Sequence, residues 1–412
     1  MTQDNLNEIA ELHKRFMNGQ SGGRRAMLRR EDLSGLSLKG RDMRQADLSG
    51  CDMTGMDLSG ANFREASLYA CNLTKANLNG TCFVRADMRG CKIENADLEN
   101  ADLDSADLRA GGLAEEGAFS GKENNVNFRG ANLAGARLSG TLAVHADFSD
   151  AIMSKVDLSG ADLSNAQFEG ADLTEAEIKG ARFGGANMRS AILTGVELEE
   201  IRKSGVSLDE TITDENVGDS LEKLDAPLPQ KIREHRAWVS SMGKEGRQLD
   251  LSGFDLRALL SLAGEKLTAL RAVGSRWCGM DMTDIHLQSS ILDGADFRSC
   301  FLKGADFRAS SLKKARFSHA DLRNADFSPL FFEIAGQKKS TPTVLEGSNM
   351  RYAKCAGGQF PQAVFRGADL GYVDFTGADL RQADFRGADL ENAVFSGATI
   401  TEALFDGAPP AV

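Results

Sequence analysis

The stretch ADLENADLDSADLRAGG, residues 96–112, repeats Ala-Asp-Leu every five residues. A helix returns to one face every 3.6 residues and a strand every two. A period of five fits neither, so the chain must turn inside a larger repeating unit. The period is long-lived. Positions whose numbers end in 3 or 8 are large and apolar from Leu33 to Leu113. The pattern fails at Ala118 and Glu123, resumes in the same phase at Phe128 and runs to Leu198, with Ala143 its one small member. Two residues before each centre stands a small residue, as in Ala46, Cys51, Ala61, Ala66, Cys71 and Ala76. Asp or Asn lies between the two, and polar residues, often Gly, follow.

Internal repeats take precedence over other signals when a sequence is read for its fold. Units such as ADLSG, ANFRE and ADFRG resemble the pentapeptide-repeat family, A-(D/N)-L-x-x, of bacterial type, over roughly three quarters of the chain. The resemblance implies an all-β solenoid: a right-handed quadrilateral parallel β-helix, one pentapeptide per side and about twenty residues per coil. The physics of the unit agrees. Five residues make a short extended side plus a corner. The centre and the small residue point into a narrow shaft, and the others face water. Coils stack at about 4.8 Å, the spacing of strands in a ladder. Cys51, Cys71 and Cys91 are then one coil apart, stacked at the small inward position as apolar filler.

The chain reads as two such rods. Residues 1–32 are expected to hold a capping helix and 33–208 the first β-helix, interrupted at 114–127 by either a looped-out segment or degenerate coil. Residues 209–248 read as an acidic, proline-containing linker followed by a second capping helix, and 249–408 as the second β-helix with an inserted loop at 328–349. The duplication shows at the two starts. Both carry an Ile, then a His (His13, His235), an aromatic three residues on (Phe16, Trp238), and DLSG further along. Leu6, Ile9, His13, Phe16 and Met17 share one helical face, as do Ile232, His235, Trp238, Val239 and Met242. These helices would cover strand edges that otherwise recruit other chains. Residues 257–281 fit the five-residue phase poorly and read as coil or helix. From Met282 the phase is firm through Phe327 and Phe332. It shifts at Met350 and continues to Phe405, where the last coil has no following helix and offers a contact for a homodimer.

Composition excludes much chemistry. Net charge is −12, from 60 acids against 48 bases, and no segment is basic enough to neutralise a phosphate backbone. The start lacks a signal-peptide pattern and no apolar run reaches membrane length, so a soluble cytoplasmic protein is expected, with no direct nucleic-acid or membrane partner. Seven Cys without a CxxC pair suggest neither a zinc site nor a disulfide framework. No catalytic motif appears, five His are dispersed, and the Asp are spread one per repeat in equivalent surroundings. No enzyme activity, catalytic residue, metal or cofactor is expected. What remains is surface function. The first reading is a non-enzymatic protein-interaction scaffold whose partner is a protein. The alternative comes from the resemblance: some quinolone-resistance members mimic a DNA duplex and bind DNA gyrase, a topoisomerase. Mild, mixed charge argues against it, because units such as ADFRG place Arg two residues after Asp. Recognition is expected on the loops, at Glu115, Glu116 and Glu123, and at Leu330, Phe331, Ile334, Lys338 and Lys339, unless the apolar part of the second loop simply lies against its rod.

Overall fold

A computed structural model describes every residue except 113–123, 260, 335 and 336. The chain divides into two compact units, Met1–Asn216 and Val217–Val412. In the first, parallel bridges join residues 20 apart, from Met27↔Asp47 to Asp87↔Asp107. Four five-residue sides therefore close one coil. The side 52–56 shows why five residues suffice. Asp52 N donates to Glu31 O at 3.0 Å in the coil below, and Met53 N and Gly55 N donate to Asn72 O and Thr74 O at 2.7 and 2.9 Å in the coil above. Met56 N closes the corner on Met53 O at 3.1 Å. The ladder does not reach the N–H of Thr54, and the Asp52 carboxylate accepts it at 3.0 Å. All five donors of the side are paired, as backbone away from bulk water requires. This accounts for the Asp or Asn before each centre: its side chain turns back on the backbone two residues ahead.

The corner residue takes the left-handed conformation, with φ 65° at Gly55 but also φ 56° at Ala70 and 60° at Lys75. Left-handed backbone costs a residue with a Cβ roughly 1–2 kcal/mol. At Ala70 the inter-coil bond from its N to Arg89 O, 2.8 Å, holds the strained corner in place.

The shaft is filled by the centres and the small residues, all of them buried through the body of the unit. Phe128, Phe148 and Phe168 stack with centroids 4.9 and 5.2 Å apart, close to the coil spacing. Cys51, Cys71 and Cys91 are 1% exposed. Each thiol donates to the carbonyl 23 residues earlier, of Leu28, Leu48 and Leu68 respectively. Thr81 uses the same slot, donating to Leu58 O at 2.8 Å. Burial pushes the Cys51 thiol up to about 11 and Cys91 up to about 12, and raises Cys71 too. Since the thiolate is the reactive form, a thiol reagent should label these three slowly in the folded protein and rapidly in denaturant. Fast labelling of all three in the folded state would place the small position outside the shaft.

Helix α1 (Gln3–Met17) starts at Thr2, whose side chain accepts from Asn5 N. It buries Leu6, Ala10 and His13. Phe16, which sequence periodicity assigned to the same face, is 44% exposed and only stacks beside His13, centroids 6.2 Å apart. The His13 ring links helix to ladder: Nδ1 accepts from Ala26 N at 3.0 Å and Nε2 lies 3.0 Å from Arg44 O. The helix ends at Met17 and pairing begins at Met27. At the far end of the unit the ladder continues to Ile192↔Ile212, past a short helix α2 (Glu199–Lys203).

The second unit opens with strand β1 (Asp219–Ser220), which pairs in parallel with β2 (Phe254–Asp255). Helix α3 (Leu228–Ser240) buries Leu228, Ile232 and His235. Met242 falls beyond its end, 86% exposed, and not on the packed face. His235 repeats the role of His13, with Nδ1 accepting from Leu249 N at 3.0 Å. Burial holds both imidazoles below their usual pKa, so both resist protonation more in the folded chain than in the unfolded one. Below pH 6.5 the unfolded chain takes up protons that the buried rings refuse, and folding stability falls until the depressed folded pKa is reached. Stability should therefore fall from pH 7.5 to pH 5.5, by at most about 1.4 kcal/mol per pH unit per imidazole, and the melting temperature with it. The slope should shrink in His13→Gln, and an unchanged slope in that variant would remove His13 from the effect.

Bridges in the second unit are first 21 apart, Asp250↔Arg271 and Asp255↔Arg276, then 20 apart from Ser261↔Asp281 to Asp306↔Asp326. The described residues of 257–281 are thus β-helix coil, with a register one residue longer between Asp255 and Ser261. Phe307, Phe327 and Phe360 stack at 4.9 and 4.7 Å in the shaft.

Candidate functional site

Both interruptions are inserted segments, visible as jumps in ladder register. In the first unit the register passes from 20 to 35 at Lys92↔Asn127 and returns to 20 at Asn127↔Asp147. Gly111 and Asn124 pair antiparallel at the base of the insertion. Fifteen extra residues equal three sides, so the five-residue phase survives. Glu115, Glu116 and Glu123 lie outside the described residues.

In the second unit the register steps from 20 to 33 at Ser311↔Val344. The inserted segment is an antiparallel hairpin, β3 (Leu330–Ile334) with β4 (Gln337–Thr341). Backbone pairing brings the proposed residues together: Leu330 opposite Thr341, Phe331 opposite Ser340, Phe332 opposite Lys339, Glu333 opposite Lys338 and Ile334 opposite Gln337. Phe332 fits the phase five residues after Phe327 and was expected in the shaft. It is instead 42% exposed, because the chain leaves the ladder after Phe327. Phe331 is 69% exposed, Leu330 half-buried and Lys339 exposed. The two Phe alternate across the two faces of the hairpin.

Phe331 overhangs a groove of about 460 Å³ whose other walls include Pro329, Pro361, Gln362, Gln382 and Glu402. Three of these form a corner column one coil apart. Gln362 Nε2 donates to Gln382 Oε1 at 3.0 Å, and Gln382 Nε2 to Glu402 Oε2 at 2.7 Å. Ser340 Oγ reaches Gln362 Oε1 at 3.3 Å and ties β4 to that column. The column escaped sequence reasoning, although its spacing of 20 was the available signal.

Much of the charge is paired locally. Among the described residues, nine Asp-x-Arg units make forked ion pairs, for example Arg89 to Asp87 at 2.9 and 2.8 Å and Arg381 to Asp379 at 2.8 and 2.6 Å. The fork holds the Asp379 carboxyl below the usual carboxylate range. No group of three or more His, Cys, Asp or Glu among the described residues is placed to hold a metal. No helix among them is long and apolar enough to cross a membrane.

A family model described as pentapeptide repeats, eight copies, matches residues 42–80, 81–109, 124–160, 151–195, 290–328, 343–382 and 374–408. No curated protein sequence matches the chain. Solved structures do. HetL, a pentapeptide repeat protein involved in heterocyst differentiation regulation from the cyanobacterium Nostoc sp. strain PCC 7120, is 18% identical, with 97% of each chain covered and a TM-score of 0.16. QnrB1, a plasmid-mediated fluoroquinolone resistance protein, is 24% identical over 46% of this chain and 90% of its own, with a TM-score of 0.29. Rfr23, from the cyanobacterium Cyanothece 51142, is 30% identical over 30% of this chain and 88% of its own, with a TM-score of 0.16.

Proposed function

The chain belongs to the pentapeptide-repeat family, a right-handed β-helix solenoid, and from that premise we propose that it is a non-enzymatic protein-interaction scaffold: two β-helix rods whose recognition surface is the hairpin of the second. The carrying observation is the exposure of Phe331 and Phe332 on an inserted hairpin beside a formed groove. A hairpin serving only to cover its rod would bury whichever of the two rings faces that rod, yet both are exposed. Recognition residues concentrate on segments held by a rigid scaffold, and aromatic side chains carry much of the energy of protein interfaces. A non-enzymatic role fits a surface on which nine Asp carboxylates are tied into forks with Arg, for example Asp87 with Arg89 and Asp379 with Arg381.

The nine Asp–Arg forks count against DNA mimicry, because a duplex mimic needs unpaired negative charge at phosphate-like spacing. No gyrase inhibition at physiological salt is expected.

The test is the double substitution Phe331→Ser with Phe332→Ser in the full chain. Exposed positions tolerate such changes within about 0.5 kcal/mol, so the melting temperature should hold. A protein partner first captured by the unsubstituted chain should bind at least tenfold more weakly. Unchanged binding would remove the hairpin from the site. A fall in stability with binding intact would make the hairpin packing alone.

A further inference from the structure

We propose that the face of the second unit carrying Arg276, Arg298 and Arg316 binds a phosphate-class dianion. The outward slot just before each shaft centre holds Asp or Asn along most of the ladder. On this face successive coils place Arg276, Asp296, Arg316 and Asn349 there, each bridged to the next. Asp296 is 1% exposed and Arg298 5%. Arg298 grips Asp296 through Nε and Nη2 at 2.9 and 2.6 Å. That pair is neutral and closed. Arg276 and Arg316 stand one coil to either side of it, with backbones roughly 10 Å apart at the spacing of stacked strands. Two long side chains can converge over the closed pair from that distance.

These two arginines differ from the forked ones elsewhere. Arg316 is half-buried, and its guanidinium makes no hydrogen bond or ion pair among the described residues. Arg276, also half-buried, gives one nitrogen to Gly274 O at 3.1 Å, while its Nε is buried without a partner. Burial, with Arg298 next, pushes the Arg316 guanidinium down from its usual pKa. Three guanidinium groups therefore face one carboxylate, which leaves two positive charges half-shielded from water on a protein of net charge −12. Guanidinium pairs fork onto tetrahedral oxyanions with short, charge-assisted bonds. A dianion neutralises the site, whereas a monocarboxylate leaves one charge uncompensated. This assignment is separate from the hairpin and stands on different residues.

Calorimetric titration of the full chain with inorganic phosphate, sulfate and acetate tests it, alongside a short phosphoserine peptide and its unphosphorylated form. Phosphate or the phosphopeptide should bind saturably at one site, and sulfate as well, with acetate at least tenfold weaker. Tighter binding of the peptide than of free phosphate would identify the ion as one carried by a partner, and the reverse as a free ion. Arg316→Gln and Arg276→Gln, each checked for folding by circular dichroism, should each weaken binding at least tenfold. The proposal is overturned if neither phosphate nor phosphopeptide saturates, if acetate binds as well as phosphate, or if both folded variants bind like the unsubstituted chain.

Discussion

Leu103→Asp will lower the stability of the first unit by several kcal/mol, and Ser105→Asp, two residues on, will leave it within about 0.5 kcal/mol. Leu103 is fully buried. Ladder register sets it between Phe83 below and Leu138 above. A carboxylate there loses its water, finds no donor in an apolar shaft and puts two oxygens where two methyl groups packed, at a site where truncation to Ala alone costs about 2–5 kcal/mol. Each coil is held only by its neighbours, so the damage breaks the rod into two stacks. Ser105 is an exposed corner residue at φ 57°. Asp tolerates that conformation better than most residues and adds its charge in water. Thermal melts of the two variants measure the difference. Equal losses would show that the repeat does not sort its positions into shaft and surface as the ladder indicates.

The contrast marks how much of the molecule could be read in advance. Inward and outward positions follow from the period alone, because any five-residue side must return the same residue to the shaft. The coil at 257–281 was obscured by one extra residue, which displaced Leu262 from the phase of Leu256. The insertion after Leu108 was hidden by arithmetic, since fifteen residues restore the phase wherever the chain goes meanwhile. Phe332 was misplaced for the opposite reason: its number fits the phase, but pairing opposite Lys339 in a hairpin won over a place in the shaft one coil above Leu312. His13 and His235 were legible as a matched pair, yet not as ring acceptors for the first paired coil, which depends on where the helix ends. The Arg276 and Arg316 face left a signal that went unused, Arg on two coils flanking Asp296 in the slot where Asp and Asn are the commonest residues.

Asp296→Ala will cost about 3–5 kcal/mol, and Asp306→Ala about 1–2 kcal/mol, although both residues sit in the same tetrapeptide, ADFR. Each carboxylate accepts the N–H two residues ahead, Arg298 N at 3.2 Å and Arg308 N at 3.1 Å, and each is forked by the following Arg. The backbone part of the loss is therefore equal. The surroundings differ. Side chains of Arg298 and Asp296 are 6% and 1% exposed, against 37% and 13% for Arg308 and Asp306. Removing Asp296 strands a buried guanidinium between Arg276 and Arg316, with no water to replace its partner. Removing Asp306 leaves Arg308 a screened surface charge, with Asp326 3.6 Å away. The charges of Arg298 and Arg316 hold the Asp296 carboxyl well below the usual range against the opposing effect of burial. Its contribution is thus fully present above the unfolded carboxylate pKa near 3.8 and is lost only as pH falls through the depressed folded value. At neutral pH the substitution exposes the whole effect. The double variant Asp296→Ala with Arg298→Ala should recover much of the loss, because the stranded charge goes with its partner. Denaturant melts of the three variants decide the matter. If the two single substitutions cost the same, or if the double is worse than Asp296→Ala by a full additive step, burial of charge is not what separates two identical stretches of sequence.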